Sequence, residues 1–222
     1  PGVGLVGKIA ADHVIEVFGM RHHANIFCAE LPAVAVYHEE DATLRPPMRL
    51  YVDEDRGLVV LQSDVPVGPA AAAEIAECLE EWSTGRAIHP IYLSGIPREQ
   101  DAEGPRLYGV GNARGVQRLE AAGIATPAET GLISGPTGVL LHHAIRQEES
   151  VVGLVVGSDP RFPDPEAAEV LVRTGIAPLV DVEIPVDELI DSAEQIRAAK
   201  QRLAQQMQEA QDESTQARPI GM

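Results

Sequence analysis

Three glycines, Gly2, Gly4 and Gly7, run straight into an apolar, helix-forming segment in the opening stretch PGVGLVGKIAADHVIE. The design returns in GLISGPTGVLLHHAI, where a short apolar strand reaches Gly135 and Gly138 and a helix follows from about Pro136. Glycine lets the backbone turn sharply and lets the next helix lie close on a sheet, so two such corners point to an α/β fold.

The same spacings also suit phosphate chemistry. Gly2, Gly4 and Gly7 spell the G-x-G-x-x-G of a dinucleotide fold, and Gly2, Gly7 and Lys8 spell most of a phosphate loop. In both, backbone N–H groups crowd an anion at the positive end of a helix. The phosphate loop lacks its magnesium-binding hydroxyl, because Ile9 follows Lys8. The dinucleotide reading has a carboxylate, Glu30, near the ~20-residue distance expected of a ribose ligand. Its strand before Gly2 is not visible, since the sequence opens at Pro1 without an initiator Met. The competing reading is steric: a tight turn that packs a helix over 8–18 on a sheet. Gly135 and Gly138 with Pro136 likewise suit either an anion or a solvated helix start.

The chain of 222 residues fits one domain, expected over 1–185, with a C-terminal helix over 186–212 and a mobile tail over 213–222. It holds 34 acidic against 17 basic residues, a formal charge of -17, and its only lysines are Lys8 and Lys200. Such a surface stays soluble in strong salt, where screening removes self-repulsion, and the expectation is a salt-adapted (halophilic) cytoplasm. With no basic stripe to neutralise phosphates, nucleic acid is not expected as a partner. Cys28 and Cys78 lack metal-ligand spacing and read as buried free thiols of a reducing compartment. The longest apolar runs, such as VVGLVVG, fall short of a membrane span, and no signal peptide is visible.

In chain order, 25–31 reads as a short buried strand, 33–37 as a second, and EEDATLRPP as a loop. MRLYV and LVVLQ flank the turn DEDRG as a hairpin, which makes the sheet mixed. A helix over 68–82 ends at Gly85, and a strand over 87–93 leaves through the long polar loop SGIPREQDAEGP. LYGVG returns as a strand, 112–122 forms a helix, and VVGLVVG is a strand. Asp164 caps the following helix, with Pro165 in its first position.

Catalytic and metal signals are weak. Ser134 lacks the glycine two residues earlier that a nucleophile elbow needs, the position being Leu132. Asp159 and Asp164 both precede prolines and read as turn and cap. His22 with His23, and His142 with His143, are adjacent pairs whose side chains diverge, so neither converges on a metal. No cofactor is expected.

The strongest periodicity is terminal. Val186, Leu189, Ala193, Ile196, Lys200, Leu203, Met207 and Ala210 step alternately by three and four, a heptad seam. Its first half suits docking on the chain's own domain; its polar second half, KQRLAQQMQEAQ, suits another subunit. Leu189, Ile196, Leu203 and Met207 are the expected assembly contacts.

PGVGLVGKIAADHVIE, GLISGPTGVLL and DPEAAEVL followed by VDELIDSAEQI, in this order and spacing, resemble the archaeal proteasome assembly chaperone family, the PAC2 family. The resemblance spans Pro1 to about Ile196. It implies a three-layer α/β/α domain with a phosphorylase-like mixed sheet plus a C-terminal helix, homo-oligomers, no catalysis, and binding to the alpha subunits of the proteasome 20S core particle. Some members insert a flexible tail ending in a hydrophobic residue, a tyrosine and any last residue. Here the tail Arg218, Pro219, Ile220, Gly221 and Met222 is the expected docking segment, but Gly221 stands at the tyrosine position. Either the native chain continues beyond Met222, or this member does not dock through its tail. The alternative function is an ATP-grasp-like or Rossmann-like nucleotide-binding protein or enzyme using Gly2 to Lys8.

Overall fold

The computed structural model describes residues 2–38, 41–83, 85–98, 104–145 and 150–194. A one-turn 3-10 helix, Val3–Leu5, leads into α1, Val6–Val17, which buries Val6, Ala10, Ala11, His13 and Val14 along one face. α1 starts two residues before the expected Lys8, because Gly4 and Leu5 take left-handed angles (φ 62° and 52°) and close the turn early. Gly19, at φ 54°, then reverses the chain into β1, Arg21–Ile26.

β1 alternates exposed and half-buried residues, as a strand with one covered face does. It therefore lies earlier than the expected 25–31. β4, Met48–Asp53, runs antiparallel between β1 and β5, Leu58–Ser63. The β4–β5 hairpin is the expected one: Gly57 takes φ 64°, and Asp53 accepts a hydrogen bond from Arg56 N at 3.0 Å. β2, Val36–His38, pairs antiparallel with β3, Asp41–Arg45, as a separate two-stranded sheet. The expected loop EEDATLRPP thus contains a strand, whose polar composition hid its β pairing.

The second sheet is mixed, though not through the β4–β5 hairpin that was expected to make it so, since that hairpin belongs to the antiparallel sheet. β6, Ile91–Pro97, runs parallel to β8, Val152–Ser158, and β7, Leu107–Gly111, runs antiparallel on its other side. All seven residues of β8 are buried, so both its faces are covered and its sequence is a continuous apolar run rather than an alternation. Val152, Leu154 and Val156 have no exposure, and each fully buried side chain of this kind contributes about 1.5–3 kcal/mol. β6 starts later than expected and extends through Pro97, taking the first part of the expected loop.

Helices cover these sheets. α2, Pro69–Ser83, packs against α4, Gly135–Ala144, and α3, Ala113–Ala121, packs against β7 and β8. Asn112 Oδ1 caps α3 by accepting from Gly115 N at 2.8 Å, and it also accepts from Val151 N at 3.2 Å. α5, Pro165–Leu171, begins with the predicted cap, Asp164 Oδ1 accepting from Ala167 N at 3.1 Å. It continues through a π turn, Val172–Ile176, into α6, Ala177–Val180. Residues 187–194 are again helical. α1 packs on α5, β5 and β6, so it ties the antiparallel sheet to the mixed one.

Two further expectations are corrected. Residues 131–134 form no strand, and Leu132 is 97% exposed, so the apolar run pairs with none of the described sheets. Cys28 and Cys78 are free as expected but not buried: one is half-buried and the other exposed. No helix among the described residues is long and apolar enough to cross a membrane.

Candidate functional site

At the carboxyl ends of the parallel strands β6 and β8, the first glycine turn lies against both. A Cβ on Gly4 would stand 2.7 Å from Ser158 Oγ, and one on Gly95 would stand 2.4 Å from the carbonyl oxygen of Val3. Gly4 O accepts a hydrogen bond from Asp164 N at 2.9 Å. Gly7 is different, since a Cβ there would meet Leu93 Cβ at an ordinary 3.6 Å. Close backbone packing accounts for Gly4 and Gly95. Ser158 is fully buried and its Oγ has no hydrogen-bond partner among the described residues, so it forms part of the wall of this corner.

Lys8, the one basic side chain of the loop, is held by carboxylates. Its Nζ donates to Asp12 Oδ2 at 2.6 Å and to Asp64 Oδ1 at 2.9 Å. Asp64 also lies 2.7 Å from Nη2 of Arg49, whose side chain is 2% exposed. Arg49 completes its donors on Tyr51 Oη, Pro46 O and Gln62 Oε1. Burial lowers the Lys8 pKa, but hydrogen bonds and charge from Asp12 and Asp64 outweigh it and hold the pKa above the ordinary lysine value. Burial likewise raises that of Asp64, yet Lys8, Gln62 and Arg49 together hold it below the ordinary carboxylate value. This cluster joins α1 to β4 and β5. No spacing rule in the sequence links Lys8, Arg49 and Asp64, and sequence reading missed it.

The second glycine corner is more open. Gly135 takes φ 68° at the start of α4, and a Cβ on Gly138 would clash with Ile133 O at 2.3 Å. Ser134 precedes the helix without a side-chain capping bond. Asp164 Oδ2 accepts from Asp159 N at 2.8 Å, so this carboxylate pair forms the expected turn and cap. The histidines diverge: His22 meets Asn25 Oδ1 at 2.9 Å, while His143 meets Glu80 Oε2 at 2.5 Å across α4 and α2. Among the described residues, no group of three or more His, Cys, Asp or Glu is placed to hold a metal.

Buried His13 donates from Nε2 to Pro185 O at 2.7 Å, fixing the chain as it enters the terminal helix. Leu189 then sits in the chain's own core, 5% exposed. Beside it a groove of about 250 Å³ is lined by Glu166, Glu169 and Arg173 of the α5 region and by Ile190, Ala193 and Glu194. Glu169 is paired with Arg173 Nε at 2.7 Å. Of the expected assembly contacts Leu189 lies in the chain's own core, whereas Ile196, Leu203 and Met207 lie outside the described residues, as does the tail Arg218 to Met222.

Comparison with known proteins adds a family to this geometry. The fold is similar to Pyrococcus furiosus PbaA, described as an archaeal homologue of proteasome-assembly chaperone, with a TM-score of 0.84 and 26% identity over 97% of this chain and 89% of that one. Pyrococcus furiosus PbaB, an archaeal proteasome activator, shares the fold at a TM-score of 0.74 and 20% identity, over 92% and 90% of the two chains. An uncharacterized protein of Methanocaldococcus jannaschii is 23% identical over 195 residues, 85% of this chain and 74% of that protein. The profile of the PAC2 family matches residues 1–204, and the chain belongs to that family.

Proposed function

We propose that this chain is a non-enzymatic, chaperone-like protein that binds subunits of the proteasome 20S core particle, docking on the alpha ring as a homo-oligomer in a salt-adapted cytoplasm. The observation that carries this reading is the PAC2 match over residues 1–204, together with the 26% identity to PbaA across almost the whole chain. The chemistry of the first loop agrees with it. Lys8, which a phosphate-binding enzyme would present to its ligand, is taken up by Asp12 and Asp64.

The docking segment in this proposal is the tail Arg218, Pro219, Ile220, Gly221 and Met222. A flexible segment loses conformational entropy on binding, so a single tail binds weakly. An oligomer that presents several tails to one ring gains by effective concentration, which raises overall affinity ~10²–10⁴-fold without new contacts. Capture of alpha subunits by the native full-length chain, compared with a chain cut after Asp212, tests the segment. Loss of capture on cutting is the expected result. Equal capture by both would move the docking surface to the folded body.

A further inference from the structure

The groove beside the terminal helix joins charge to apolar surface in a way that neither the core nor the glycine corners require. α5 contributes Glu166 and Glu169, the π turn contributes Arg173, and the helical residues 187–194 contribute Ile190, Ala193 and Glu194. Ile190, Ala193 and Glu194 stand three and four residues apart and so share one helix face. Three carboxylates against one guanidinium give the groove a formal charge of -2. Glu169 is the residue that calls for a ligand. It is 8% exposed, and its Oε1 has no hydrogen-bond donor among the described residues. Arg173 Nε lies 2.7 Å from that oxygen, close enough to balance charge, but its N–H is not directed at it. A buried acceptor left without a donor is costly, and a donor entering the groove would relieve it.

Size and polarity narrow the occupant. At about 250 Å³ the groove falls below the ~300–1,000 Å³ of small-molecule and cofactor sites and suits a single long side chain. Its carboxylates repel phosphates and acidic side chains and attract a cation. Ile190, 40% exposed, and Ala193 offer apolar surface on which an aliphatic stem can lie. Lysine meets all of these conditions. Its flexible stem carries a compact ammonium whose rotatable donors can be shared among carboxylates on different elements, whereas the flat fork of arginine suits one carboxylate bidentately. This chain is almost without lysine: beyond Lys200 there is only Lys8, which Asp12 and Asp64 hold. The formal charge of -17 draws a basic partner from a distance.

We propose that this groove is a docking site for a lysine side chain of a partner protein, with the stem on Ile190 and Ala193 and the ammonium among Glu166, Glu169 and Glu194. The proposal rests on the groove alone and does not depend on the partner being a proteasome subunit.

The test titrates the isotope-labelled full chain with the peptide Ac-Ala-Lys-Ala-NH2 at fixed ionic strength and follows backbone amide shifts by NMR. The same peptide acetylated on the lysine amine is the neutral counterpart. One lysine is expected to bind with a roughly millimolar Kd and to shift the amides of Glu169, Arg173, Ile190 and Glu194, while the acetylated peptide leaves them in place. Glu169→Gln/Glu194→Gln keeps both shapes and is expected to weaken binding at least roughly tenfold. Arg173→Gln removes the competing cation and is expected to strengthen it. Glu54→Gln, on an exposed carboxylate paired with Arg21, is expected to leave the affinity unchanged. If circular dichroism finds that Glu169→Gln disturbs α5, Glu194→Gln at its exposed position carries the test. Absence of shifts at ~10 mM peptide, equal binding of both peptides, undiminished binding by the carboxylate variants, or equal weakening by Glu54→Gln would each overturn the proposal. Binding that appears only in Lys200→Gln would assign the groove to the chain's own lysine and overturn it as well.

Discussion

Asp64→Asn is expected to cost about 3 kcal/mol of folding free energy, as does removal of one partner from a buried ion pair. The substitution strips the counter-charge from Arg49, whose side chain is 2% exposed, and leaves Lys8 with Asp12 alone. Chemical denaturation in strong salt measures the loss, because buried charges are screened far less than exposed ones. The surface pair Arg21–Glu54, with side chains 63% and 80% exposed, is the natural contrast. Arg21→Ala is expected to change stability by less than ~1 kcal/mol. The same cluster sets a pH limb. Asp64 has a depressed folded pKa, so its contribution is present above the unfolded carboxylate value of ~4 and is lost as pH falls through the folded value. Lys8 has a raised one, so its contribution is complete below ~10.4 and is lost as pH rises through the folded value. The acid limb shared with Asp64 should flatten in Asp64→Asn. A loss under ~1 kcal/mol with an unchanged acid limb would mean that the cluster is a surface feature.

Gly95→Ala is expected to destabilise the protein by about 3 kcal/mol, the upper range for an overpacked core site. The new methyl would stand 2.4 Å from a backbone oxygen, that of Val3, which cannot swing aside as a side chain can. Gly7→Ala should behave in the opposite way. Gly7 lies inside α1 with only ordinary contact to Leu93, so alanine fits and gains up to ~1 kcal/mol of helix propensity. Thermal unfolding of both variants reads the difference directly. Two variants of equal stability would contradict steric packing as the reason for the Gly95 approach.

Much of the architecture was legible because local signals and tertiary packing agree. Asn112 and Asp164 cap where a polar side chain precedes a helix, DEDRG turns the β4–β5 hairpin, and VVGLVVG is the doubly covered strand its apolar run describes. The failures have physical causes. β3 was hidden because DATLR is polar and its strand identity comes from pairing with β2. The run before Gly135 was apolar enough for a strand but pairs with no sheet and leaves Leu132 exposed, because strand identity comes from pairing that local composition does not record. Lys8, Arg49 and Asp64 meet across long sequence separations, which periodicity does not record. Of the seam, residues 187–194 are described and helical, and whether a residue there faces its own core or another subunit depends on the body beneath it. Leu189 faces its own core.

Glycine corners and the charge cluster of Lys8, Arg49 and Asp64 hold α1 against both sheets. Binding to the proteasome core particle is tested most directly by sedimentation velocity of the purified full chain mixed with purified alpha subunits from the same source. Comigration in one faster boundary is the expected result. Independent sedimentation at concentrations that would saturate a roughly micromolar complex would contradict it.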